Sequence, residues 1–163
     1  MRLTWLTGCL ALALFAGLAV QLAPLQPNIV ALQFAFTPAD FQAVLALWGP
    51  AGVTLYRSHF PADFALLALY GSFGGLLVTR SRTFDNLPGA GRSVAAVLLP
   101  LAAVCDAGEN LLHLTLTTPA ALAASPDAAL VAAAAVCATG KWVLLAGFAA
   151  MAARAEWRRR RKP

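Results

Sequence analysis

"AAVCDAGENLLHLTL", residues 102 to 116, sets Asp106, Glu109, Asn110 and His113 into a run that is otherwise small or apolar. In a helix turning about 100° per residue, His113 falls about 20° from Asp106, with Asn110 about 40° to one side and Glu109 about 60° to the other. All four therefore occupy one stripe, and Leu111, Leu112 and Val104 lie off it. An exposed charge at the middle of a membrane helix costs about 2.5–3.5 kcal/mol on insertion scales. The stripe must turn toward protein, so the helix needs several apolar neighbours.

The rest of the chain supplies them. Its 163 residues are 60% hydrophobic and 12% charged, with a mean hydropathy of +0.72. An ordinary soluble domain carries roughly 25% charge. Runs near 3–23, 61–79, 93–116 and 129–152 each reach the length of about 20 apolar residues that a hydrocarbon core requires. The expected fold is all-α, a four-helix transmembrane bundle forming one integral membrane domain over 1–163. Pro24 and Pro27 end the first run, Pro61 can start the second at the first helical position, and "TTPAALAASPD" (117–127) separates the last two. "GSFGG" (71–75) places Gly71 and Gly75 four apart, a spacing that lets a second backbone approach.

Charge sets the expected orientation. Six of the twelve basic residues lie in the tail 154–163, "RAEWRRRRKP", directly after an apolar run. A basic block there reads as a cytoplasmic stop-transfer flank with an attraction to anionic lipid, and not as a nucleic-acid surface. Arg2, Arg80, Arg82 and Arg92 fall on the same side as that tail, and Arg57 alone falls on the other. Four spans with both termini cytoplasmic in a bacterial inner membrane satisfy this pattern. "LTGC" (6–9) matches a lipoprotein cleavage box, yet too few residues precede it for a signal peptide core, so the first run is read as a retained helix. Cys9, Cys105 and Cys137 sit in apolar runs and read as buried thiols with no disulfide framework.

The outer connection, 24–60, is too long for a simple turn. "NIVALQFAF" (28–36) suits an extended strand with Val30, Leu32, Phe34 and Phe36 on one face. "TPAD" (37–40) then opens a helix, with Thr37 as N-cap and Asp40 in a capping-box position. Phe41, Val44, Leu45 and Trp48 follow on one helical face before Gly49–Pro50 ends the run. The helix expected over 38–48 is too short to span. It belongs at the outer membrane interface, or as a cap on the bundle.

Lys141, in "CATGKWVLL" (137–145), lies as deep in the fourth run as Asp106 lies in the third. Opposite charges at one depth predict a pair, direct or through Glu109. Asp63 opens the second run and Tyr70 shares its face two turns deeper, with His59 and Arg57 just before it. Together these positions predict a funnel: Arg57, His59, Asp63 and His113 at an outer mouth, Glu109 and Asn110 within, Asp106 and Lys141 at the floor. Asp106, Glu109 and Lys141 are the candidates for acid–base work. Asp63, Tyr70, Asn110, His113, His59 and Arg57 are the candidates for ligand binding. Asp106 and His113 stand about 10.5 Å apart along a helix, too far to share one ion. Glu109 and His113, one turn apart, are the weak metal candidates, and Lys141 already supplies the positive charge a cation would bring.

"LALWGPAG" (45–52), "PADFALLALYGSF" (61–73), "DAGEN" (106–110) and "GKWVLL" (140–145) together resemble a pattern in uncharacterised bacterial four-span membrane proteins. The resemblance covers about 36–145 and carries no activity with it. It implies that Asp63, Tyr70, Asp106, Glu109, Asn110 and Lys141 act as one unit.

The expected function is a polytopic membrane protein whose outward-opening polar cavity binds a small polar or amphiphilic, lipid-like ligand, with acid–base chemistry as an added capacity. Catalysis itself is left open, and no cofactor is called for. The alternative is a noncatalytic membrane subunit whose buried ion pair specifies packing or assembly, and a third is a proton or ion pathway. Membrane lipids are the expected partners, with room for a homo-oligomer or a larger membrane complex.

Overall fold

A computed structural model describes residues 2–161, and every regular element among them is helical. Four helices are long and apolar enough to cross a membrane: α1 (Arg2–Leu22), α4 (Phe60–Arg80), α5 (Gly89–Leu116) and α7 (Ala128–Arg160). Three further elements, α2 (Ile29–Gln33), the kinked α3 (Pro38–Ser58) and α6 (Pro119–Leu122), lie in the connections at one end. That capped end holds the close of α1 and α5 and the start of α4 and α7. The opposite end collects the arginines.

The long helices pack in series, α1 on α4, α4 on α5 and α5 on α7. Position in this row decides burial. α1 buries only Thr4, Ala11, Leu18 and Leu22, a narrow seam with an underlying step of seven, and leaves Trp5, Leu12 and Phe15 exposed. α5 has a long neighbour on each side and buries Ala95, Leu99, Ala102, Asp106, Glu109, Asn110, His113 and Leu116 in one continuous line. The line is apolar at both ends and polar between. Leu99 joins Leu77, Val78, Phe84 and Phe148 in a core toward the arginine end, while Leu116 joins Phe41, Trp48, Tyr56, Phe60 and Val131 in a core at the capped end.

Small residues set how closely α4 and α5 approach. A Cβ on Gly74 would collide with Leu99 Cβ, and one on Gly71 would meet Ala103 Cβ at 3.1 Å. The contact thus runs through Gly71 and Gly74, not through Gly71 and Gly75 as the four-residue spacing implied. Gly75 looks toward Ala96, whose carbonyl oxygen a Cβ there would meet at an ordinary 4.0 Å. Ala96 O is also the acceptor that Pro100 leaves without its usual i+4 donor.

Several boundaries differ from the sequence reading. α5 starts at Gly89, and α7 continues through the basic tail to Arg160, where Glu156 pairs with Arg159 and Arg160 at 2.9 Å each. The stretch 28–36 is not extended: Asn28 accepts from Val30 N at 3.1 Å and starts α2. Helical winding then turns Leu32, Gln33 and Ala35 inward and leaves Val30, Phe34 and Phe36 exposed. In α3, Thr37 accepts from Asp40 N at 3.2 Å and donates to Asp40 Oδ2 at 2.6 Å, and Phe41, Val44, Leu45 and Trp48 are buried together. Gly49 breaks this first arm at φ 60°, a conformation a side chain would strain. Pro50 then nucleates a second arm over 50–58, where the sequence reading had a plain connection.

The α4–α5 contact yields a direct prediction. Gly74→Ala should force the helices apart and cost about 1–3 kcal/mol, whereas Gly75→Ala should be close to neutral. Thermal unfolding of the two purified variants checks the contrast.

Candidate functional site

The polar line of α5 is divided between its neighbours by helical angle. Toward α7, Lys141 Nζ donates to Asp106 Oδ1 at 2.8 Å and stands 2.6 Å from Glu109 Oε2. The second contact is a charge contact with angles outside those of a hydrogen bond. Toward α4, Tyr70 donates its hydroxyl to Asp106 Oδ2 at 3.1 Å, and Asn110 Nδ2 donates to Asp63 Oδ2 at 2.6 Å. Asp63 and Tyr70 are seven residues apart on α4 and so share the face turned to α5. Toward the cap, His113 Nδ1 meets Tyr56 OH at 2.7 Å, and Glu109 Oε1 lies 3.9 Å from the same nitrogen.

Burial is nearly complete where the contacts are densest. Glu109 and His113 are each 1% exposed, Asn110 3%, Lys141 5% and Asp106 8%. Asp63 and Tyr70 are half-buried at the margin. One ammonium therefore serves two carboxylates in a nearly dry place. Removing Lys141 would strand both.

Seven of the nine residues singled out in the sequence come together: Asp63, Tyr70, Asp106, Glu109, Asn110, His113 and Lys141. Arg57 does not join them. Its guanidinium donates to Leu114 O at 2.9 Å and Thr117 Oγ1 at 2.7 Å, closing the C-terminal end of α5, where free carbonyls attract a cation. His59 is buried beside the cluster without a side-chain bond to it. Its ring bonds Tyr56 O through Nδ1 and packs on Phe60 at 4.4 Å. Burial keeps this imidazole below its ordinary pKa, so its neutral form prevails.

The outer mouth expected from the sequence is filled. Tyr56 sits over His113 with its ring 5.1 Å from both Trp48 and Phe60, and Phe41 packs 5.8 Å from the His113 ring. Burial, reinforced by the charge of Glu109, holds the Tyr56 phenol well above its usual pKa and keeps it a hydroxyl. Grooves of about 350 and 430 Å³ open on either side of α3 near Gly49, and neither is lined by a residue of the cluster. Among the described residues no three His, Cys, Asp or Glu side chains converge on a metal position.

Tyr56 is the residue that sequence reasoning missed. Its signal was there: Val53, Tyr56 and Phe60 recur at helical spacing after Pro50, but reading Gly49–Pro50 as a stop hid it. Gln33 was missed as well. It accepts from Trp142 Nε1 at 3.1 Å, which fastens α2 to α7 next to Lys141.

Fold and site together define a class: an all-helical protein with four long apolar helices, three of which, α4, α5 and α7, hold a buried lysine–carboxylate cluster. Comparison with protein-family models, with curated proteins and with solved structures finds no match to this chain.

The shared ammonium generates the prediction. Lys141→Met should destabilise the protein by about 3–5 kcal/mol, the scale of a buried charge left without its partner. The triple change Asp106→Asn, Glu109→Gln, Lys141→Met should recover most of that loss, and Asp106→Asn with Lys141→Met part of it, because the remaining Glu109 is then held protonated. Thermal unfolding of the three variants reads the difference.

Proposed function

We propose that the chain is a four-span protein of a bacterial inner membrane, with both termini cytoplasmic, and that its buried cluster is a ligand site reached from the outer, capped side. The ligand is small and polar or amphiphilic. Asp106, Glu109 and Lys141 supply acid–base capacity, while Asp63, Tyr70, Asn110 and His113 orient what is bound. His59 and Arg57 hold the rim in place.

Membrane insertion is supported by the distribution of apolar surface. Trp5, Leu12, Phe15 and Val20 on α1, and Val136 and Val143 on α7, are all exposed. In water such surface is a liability; in acyl chains it is the ordinary lipid-facing condition. Arg2, Arg80, Arg82, Arg92, Arg154 and Arg158–Arg161 lie at one end of the helices and Arg57 at the other, which favours the proposed orientation.

The observation that carries the ligand reading is Lys141 held between Asp106 and Glu109, with hydroxyl, amide and imidazole groups gathered around them. Ionisable groups inside a membrane protein mark functional positions by default. Access requires Tyr56 and its aromatic neighbours to move, and the hinge at Gly49 is the place where α3 can bend. A second reading, in which the cluster serves packing alone, draws support from its closed state and from grooves that open elsewhere. A route through the whole membrane is disfavoured, since α7 continues below Lys141 with Leu144, Leu145 and the buried Phe148.

Two measurements test the proposal. Reporter fusions should place a fusion in the 117–127 connection outside and one at the C-terminus inside. Mass spectrometry of denatured wild-type protein should release a small polar or amphiphilic molecule that the folded triple variant lacks. Its absence from wild type would favour the packing reading.

A further inference from the structure

The cluster does not balance its charges as its contacts stand. The titratable groups that face one another are Tyr56 from α3, Asp63 and Tyr70 from α4, Asp106, Glu109 and His113 from α5, and Lys141 from α7, with His59 beside Tyr56. Asp63 is half-buried at the margin, in the first turn of α4, and meets the Asn110 amide instead of the ammonium. The two tyrosines are neutral hydroxyls. Asp106, Glu109 and Lys141 remain, two acids against one ammonium, in a region almost without solvent.

A dry site does not keep an unpaired charge; it takes up a proton instead. The contacts say where. Asp106 accepts at both oxygens, from Lys141 and from Tyr70, as a carboxylate does. Glu109 is different. Neither of its oxygens accepts a hydrogen bond among the described residues: Oε2 lies buried 2.6 Å from the ammonium in a charge contact alone, and Oε1 faces His113 Nδ1 at 3.9 Å. That nitrogen is itself 2.7 Å from the Tyr56 hydroxyl, which can act as donor or acceptor.

We propose that Glu109 and His113 form a proton-binding site holding one proton beyond those of Lys141, with Tyr56 as its adjustable partner. With the proton on Glu109 Oε1, His113 is neutral and accepts the Tyr56 O–H at Nδ1. With the proton moved to His113 Nδ1, Glu109 is a carboxylate, the imidazolium donates to the Tyr56 oxygen, and the phenol O–H turns away. Both states leave Asp106, Glu109, His113 and Lys141 together neutral. The site lies at the outer end of the charge cluster, beneath Tyr56, so proton uptake and release take place from the capped side. This deepens the acid–base part of the proposed function and rests on it, while the charge count itself depends only on burial within the protein.

Infrared spectroscopy and ¹⁵N-histidine NMR on the full-length protein in micelles, at neutral pH, test the site. Wild type should show either the deuterium-sensitive C=O stretch of a protonated carboxylic acid or the signature of an imidazolium at His113. The charge count sets the response of each variant. Glu109→Gln should abolish the acid band and leave His113 neutral. Asp106→Asn should also empty the site, since Glu109 then has Lys141 to itself. Lys141→Met should add a second protonated acid. Should Lys141→Met fail to fold, wild type against Glu109→Gln and Asp106→Asn still decides. Wild type with neither signal, or a band that persists unchanged in Glu109→Gln, overturns the proposal. A proton found in protein that releases no small molecule would sink the ligand reading and leave this site standing.

Discussion

The structure depends on a lysine whose ammonium is shared. Lys141 joins α7 to α5 through Asp106 and Glu109 at the one level where the interior is polar. Helices that meet through apolar side chains can slide or rotate at modest cost, but a charge seated between two acids fixes both the depth and the facing of α7 against α5. α4 is fixed in the same manner by Asp63 and Tyr70. The small-residue contact at Gly71 and Gly74 then lets α4 come close enough for those bonds to form.

Closure at the capped end follows from the same need. A polar stripe that reaches His113, three residues from the end of α5, would open to the outside unless something covered it. α3 provides the cover in two arms. Its first arm buries Phe41, Val44, Leu45 and Trp48. The turn at Gly49 redirects the chain so that the second arm lowers Tyr56 onto His113 and brings Arg57 to the last carbonyls of α5. One kinked element thereby caps a helix, seals a polar site and supplies a hydroxyl to it.

The two ends of the molecule are built on different chemistry. At the arginine end the 81–88 connection is pinned by Phe84, fully buried, and by the Asn86 amide donating to Ala155 O at 2.6 Å. Arg92 reaches Val78 O and Asp85 there, while Arg80, Arg82 and Arg154 remain exposed. The capped end is aromatic, and its charges, Asp40, Arg57, Asp63 and Asp127, each cap a helix end or lie in its first turn. Between them, α5 changes from apolar to polar and back within a single buried line.

Much of this was legible along the chain because it depends on local periodicity. Four apolar runs, the stripe on α5, the capping arrangement at Thr37–Asp40 and the depth match between Asp106 and Lys141 are all properties of spacing, and spacing survives without coordinates. The share each acid takes of Lys141 is not such a property, and neither is the role of Tyr56. Nor does the one-dimensional pattern show that Arg57 caps a helix while Asp63 meets an amide, since both are polar residues at the same end. Those outcomes depend on the rotation of each helix about its axis and on the direction the chain takes after Gly49. Rotation and direction are settled only when all the helices compete for the same interior space.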